Sequence, residues 1–135
     1  MNAIITESIK SKIDELLSEI PTAKESSKRF EDLKIEYANE KIANYNKYRE
    51  PFIVFMLKEI KCAVSKLRHK KDTQKLQMEN IDDEFYDIVI KICNCKIIGC
   101  ESLFIELCKM IKPIGYNLYA VGQGSICEIR VCFIE

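Results

Sequence analysis

Apolar positions recur at steps of three and four along the first twenty residues. Ile5, Ile9, Ile13, Leu16, Leu17 and Ile20 keep the helical period, with Lys10, Lys12, Asp14, Glu15 and Glu19 between them, which predicts an amphipathic helix over 4–20. Pro21 stops it. Thr22-Ala-Lys-Glu25 then has the form of a capping box, in which each end of the motif satisfies a free backbone N–H at a helix start. A second helix over about 23–48 follows. Its apolar residues Phe30, Leu33, Tyr37, Ile42, Tyr45 and Tyr48 form a narrow stripe. Like charges stand four apart at Glu36–Glu40 and Lys24–Lys28, where they oppose each other. So polar a helix is expected to need a neighbour, either the first helix or another protein.

Pro51 suits the first turn of a third helix, since its missing N–H is unpaired there anyway. FIVFML (52–57) is the most apolar run of the chain, and Ile60, Val64 and Leu67 continue it. This is the expected central buried helix, ending in the basic cluster RHKK at 68–71. Residues 82–95 carry both signals. They are rich in β-branched residues, yet Glu84, Asp87, Lys91 and Asn94 fall on one helical stripe with Phe85, Ile88, Val89 and Ile92 opposite. The stripe favours a helix, with acids in its first turn where the dipole welcomes them, and Gly99 is its expected stop. Residues 101–112 form a cleaner helix, ended by Lys112-Pro113-Ile-Gly115. The period then changes to two. YNLYAV, GQGS and ICEIRVCFIE read as a β-hairpin with Cys127, Ile129, Val131 and Phe133 on one face and Glu128 and Arg130 on the other.

The expected fold is therefore mainly α within the α+β class. It has an N-terminal helical hairpin or bundle of about five helices over 4–112 and a C-terminal β-hairpin over 116–134, in a single domain of 1–135. The chain's 135 residues suit that size.

Seven cysteines are the first candidate chemistry, four of them within CNCKIIGCESLFIELC (93–108). A structural zinc site wants four ligands, usually from paired Cys-x₂₋₄-Cys knuckles. In a helix Cys93 and Cys95 lie about 200° apart around the axis, which keeps them from one metal. Cys108 belongs to an apolar face, Cys127 to the inward face of the hairpin and Cys132 to the opposite one. Core thiols are the expected reading, with no cofactor; a small zinc module built on Cys93, Cys95 and Cys100 is the alternative. MNAIITESIK lacks a basic start followed by an apolar stretch, so no export signal is expected. Reduced thiols then place the protein in the cytoplasm or nucleus.

Catalytic constellations are not legible. His69, the only histidine, stands among Arg68, Lys70 and Lys71, and the single copy excludes any multi-histidine metal site. The acid runs Asp82-Asp83-Glu84 and Glu31-Asp32 read as helix-start and solvated groups. Gly122-Gln-Gly124 lies between two strands, whereas a dinucleotide loop must lead into a helix.

Charge alters this picture only locally. Lys plus Arg equals Asp plus Glu at 21 each, but residues 51–80 hold 7 basic and 3 acidic groups, a local +4. Lys66, Arg68, Lys70, Lys71 and Lys75 are the candidate phosphate contacts, a salt-sensitive and sequence-independent chemistry. No aromatics interleave with them, as single-strand binders usually show. Tyr37, Tyr45 and Tyr48 are candidate partner contacts because tyrosine is enriched at interfaces; an open hairpin edge is another. The functional expectation is a non-enzymatic structural or interaction subunit of a larger assembly, such as a viral particle or ribonucleoprotein. It would bind other subunits or itself, and no membrane. The alternative is a nucleic-acid-associated factor using 66–75.

Overall fold

The computed structural model describes residues 3–122 and 128–134, with side chains from residue 7 onward. The side chain of Ile5, and Cys127 and residues 123–125 of the expected turn, thus lie outside the described residues. Four α-helices and three strands are described: α1 (Ala3–Glu19), α2 (Ala23–Val64), β1 (Thr73–Lys75), α3 (Asp83–Cys93), α4 (Leu103–Ile111), β2 (Tyr116–Val121) and β3 (Glu128–Phe133), with a short 3-10 turn at Lys112–Ile114. The chain is mixed α and β. It divides into two units, Met1–Ala38 and Asn39–Glu135.

In Met1–Ala38 the expected first helix forms, and the capping box closes reciprocally. Glu25 N–H donates to Thr22 Oγ1 at 3.2 Å and Thr22 N–H to Glu25 Oε2 at 3.4 Å. The packed helical hairpin does not form. From Glu7 to Ala38 every side chain is exposed except half-buried Ser26. The link is short: Ile20 N–H still bonds to Leu17 O, Pro21 has a fixed φ, and Thr22 caps the next helix.

In Asn39–Glu135 the expected helix start at Pro51 is absent, because α2 runs through that residue. Proline inside a helix forfeits one backbone hydrogen bond and crowds the preceding turn, at about 3 kcal/mol. Anchors on both sides offset that cost. Before Pro51, Tyr45 Oη and Arg49 Nε donate to the two carboxylate oxygens of Glu106 at 3.1 and 2.7 Å. After it, Phe52, Ile53, Met56, Ile60 and Ala63 are buried. Two expected helices have become one, which accounts for four α-helices instead of about five.

The ambiguous segment is helical. Asp82 caps α3 by accepting from Phe85 N–H at 2.7 Å, Asp83 and Glu84 fill its first turn, and Phe85 meets Phe55 edge-on at 5.5 Å. The stop differs from the expectation. α3 ends at Cys93, Asn94 is its C-cap and Cys95 takes φ 58°; Gly99 has another role, treated below. α4 buries Leu103, Leu107 and Ile111, and Gly115 closes the following turn at φ 97°.

The sheet is antiparallel in the order β1-β3-β2. Both arms of the expected hairpin pair, with Leu118 opposite Val131 and Ala120 opposite Ile129. The third strand comes from the tail of the basic segment, with Gln74 opposite Val131. Leu118, Ile129 and Val131 join Leu76, Val89, Ile92 and the buried residues of α2 and α4 in one core. The opposite face carries Thr73, Lys75, Asn117, Tyr119, Glu128, Arg130 and Cys132, all half-buried or exposed. Among the described residues no helix is long and apolar enough to cross a membrane.

Candidate functional site

The segment between α2 and β1 is a tight turn built around Asp72. Its carboxylate accepts from Arg68 N–H and Thr73 N–H, each at 2.9 Å, and from Gln74 Nε2 at 3.4 Å. The bond from Arg68 N–H, against a smaller desolvation cost, holds the Asp72 carboxyl below the usual carboxylate range. Lys71 N–H donates to His69 Nδ1 at 3.2 Å. The turn presents Arg68, His69, Lys70 and Lys71 as exposed side chains around this one carboxylate.

β1 pairs with β3 and so sets this turn beside the end of β3. A cleft of about 820 Å³ lies between them, lined by Leu67 and residues 68–71 on one side and by Phe133 and Ile134 on the other. The Phe133 ring rests against Tyr116, centroids 5.4 Å apart. No aromatics interleave with the cations along the sequence. The aromatic arrives from more than sixty residues away, and no local signal marks it.

The five basic candidates are divided. Arg68, Lys70 and Lys71 line this cleft. Lys66 and Lys75 line a smaller one of about 160 Å³, facing Glu59 and Glu79, and Lys75 also reaches Glu128 at 3.9 Å. Among the described residues Lys75 is the one of the five that forms a salt bridge.

The tyrosines are divided as well. Tyr45 and Tyr48 are half-buried against the core, Tyr45 bonding to Glu106. Tyr37, in Met1–Ala38, is 46% exposed. Of the two edges a lone hairpin would offer, β1 occupies that of β3. On β2, Leu118 O accepts a weak bond from Cys108 Sγ at 3.7 Å.

Comparison with family models, with curated proteins and with solved structures found no match. The reading of function rests on the chain's own residues.

The clustered cysteines differ in burial. Cys93 is buried at the end of α3, Cys100 is fully buried, and Cys95 is exposed with Sγ 3.5 Å from Glu101 O. Among the described residues no three His, Cys, Asp or Glu side chains are placed to share a metal ion. Burial pushes the Cys93 thiol up to about 12, and raises Cys100 and Cys108 as well. The thiolate is the reactive form. At mildly alkaline pH a thiol-alkylating reagent is therefore expected to modify exposed Cys62 and Cys95 while native Cys93 and Cys100 stay unmodified. Peptide mass mapping before and after denaturation checks this; fast labelling of Cys93 would mean that the end of α3 opens locally.

Proposed function

We propose that this chain is a non-catalytic assembly subunit whose Met1–Ala38 helices dock against another protein. One observation carries the reading. Ile9, Ile13, Leu16, Leu17, Ile20, Phe30, Leu33, Ile35 and Tyr37 are between 46% and 63% exposed, and none of the described side chains from Glu7 to Ala38 is buried. Scattered single apolar residues need no explanation, but extensive exposed apolar surface marks an interaction site.

Magnitude supports association. At about 200 Å² for each large side chain, the exposed fractions of these nine residues amount to roughly 970 Å². A stable interface takes about 800 Å² from each partner. Ile9, Ile13, Leu16 and Ile20 alternate steps of four and three, the seam spacing of paired helices.

A second copy is the first partner to test. Native mass spectrometry and light scattering are expected to find an oligomer whose population grows with protein concentration. Ile13→Glu with Leu16→Glu is expected to return it to monomer. The unfolding midpoint of Asn39–Glu135 should then shift by no more than about 0.5 kcal/mol, as for surface changes. A wild-type monomer at every concentration would rule out self-assembly and leave a different subunit as the partner. A stable wild-type oligomer unaffected by the double substitution would remove these helices from the interface.

A further inference from the structure

Independently of that reading, the cleft between the Asp72 turn and the end of β3 has the make-up of a ligand site. Its volume of about 820 Å³ falls in the range of small-ligand pockets, about 300–1,000 Å³. We propose that it binds single-stranded nucleic acid, one base stacked on Phe133 and the adjoining phosphates held by Arg68, Lys70 and Lys71.

Two kinds of surface meet there. Leu67, Phe133 and Ile134 supply an apolar floor, and Arg68, Lys70 and Lys71 supply cations beside it. Among the described residues none of these three cations forms a salt bridge, whereas Lys75 and Arg130 on the neighbouring sheet face pair with Glu128. Asp72, the acid of the turn, is held by backbone N–H groups. Cations beside an apolar and aromatic floor complement a ligand that is itself half flat ring and half phosphate.

Rigidity favours the same ligand. Phe133 is set by its β3 pairing with Tyr116 and by the ring of that residue, so stacking a base need not immobilise a free side chain. The turn carrying the cations is fixed by four hydrogen bonds to Asp72 and His69. A duplex hides its base faces, so a floor of this kind can take only an unpaired strand.

The chain has no tryptophan, so Phe133→Trp installs a single reporter at the stacking position. Oligo(dT) is expected to quench its emission. The midpoint should weaken with salt at a log–log slope of about −2, as for three phosphates on a single strand, and Lys70→Glu with Lys71→Glu should abolish the response at moderate salt. In the otherwise native chain, Phe133→Leu should weaken binding of a labelled oligo(dT) by roughly 5- to 150-fold, the range for losing one stacked base, with the native circular dichroism spectrum retained. Arg68→Gln, which leaves the floor intact, should weaken binding and flatten the salt slope. Three results would overturn the proposal. One is no quenching and no anisotropy change at low salt. Another is equal binding of inorganic polyphosphate and insensitivity to Phe133→Leu, which would leave charge alone. The third is binding of phosphatidylserine vesicles but not oligo(dT), which would make the cleft a membrane-surface contact.

Discussion

Replacing Gly99 with alanine is expected to destabilise Asn39–Glu135 by about 2–5 kcal/mol, the sum of a conformational and a steric cost. Gly99 sits at φ 92°, where a side chain is strained in any surroundings. A Cβ there would also fall 2.7 Å from Lys41 Cα and 2.8 Å from Lys41 C, on helix backbone that cannot swing aside. The approach is secured by Asn44 Nδ2, which donates to Ile98 O at 2.8 Å, and by Gly99 N–H, which donates to Glu101 Oε2 at 2.9 Å. Gly115 is the control. Its φ is 97°, but nothing lies within 4 Å of the added Cβ, so Gly115→Ala is expected to cost only about 1–2 kcal/mol. Urea unfolding of both variants, read as midpoints at constant slope, separates the two costs. Equal losses would mean that the 97–101 loop does not pack on α2 as described. Since domains are stable by only about 5–15 kcal/mol in total, the larger loss would leave the variant marginal.

Phe52→Ala is expected to cost about 3–5 kcal/mol, the usual loss for a large core aromatic. Phe52 is fully buried one residue beyond Pro51, while Val54, two positions on, is 44% exposed. Val54→Ala should therefore stay within about 0.5 kcal/mol. The contrast tests more than burial. A helix that restarted at Pro51 in another orientation would turn a different set of residues inward. Comparable losses at 52 and 54 would contradict the continuous α2.

Local signals were read where the physics is local. The Thr22–Glu25 box, the acids that open α3 and the Pro113–Gly115 stop all act within a few residues, and each is found where the pattern put it. Alternation in 128–133 likewise sorted Ile129 and Val131 inward and Arg130 outward. The errors share a different cause. Pro51 reads as a helix start because its intrinsic cost is local, but it is carried inside α2 by Glu106, more than fifty residues away, and by the buried face that follows the proline. Gly99 reads as a helix stop, although α3 ends earlier and the glycine is required by the backbone of Lys41. Residues 73–75 are polar and short, with nothing strand-like about them, and become strand only because β3 offers its free edge.

The candidate cleft follows the same division. The sequence alone determined that the positive charge concentrates between residues 66 and 75, that a helix precedes it and that a period-two segment closes the chain, because charge and amphipathic period are properties of neighbouring residues. Only the tertiary structure decided which cations stand together, since strand pairing sets Lys75 against Glu128 and leaves Arg68, Lys70 and Lys71 beside Phe133. It also decided that the described apolar side chains from Ile9 to Tyr37 stay exposed. A stripe fixes which face of a helix seeks burial; whether that face finds a partner depends on the turn that follows it and on what surface the rest of the chain, or another chain, can bring to it.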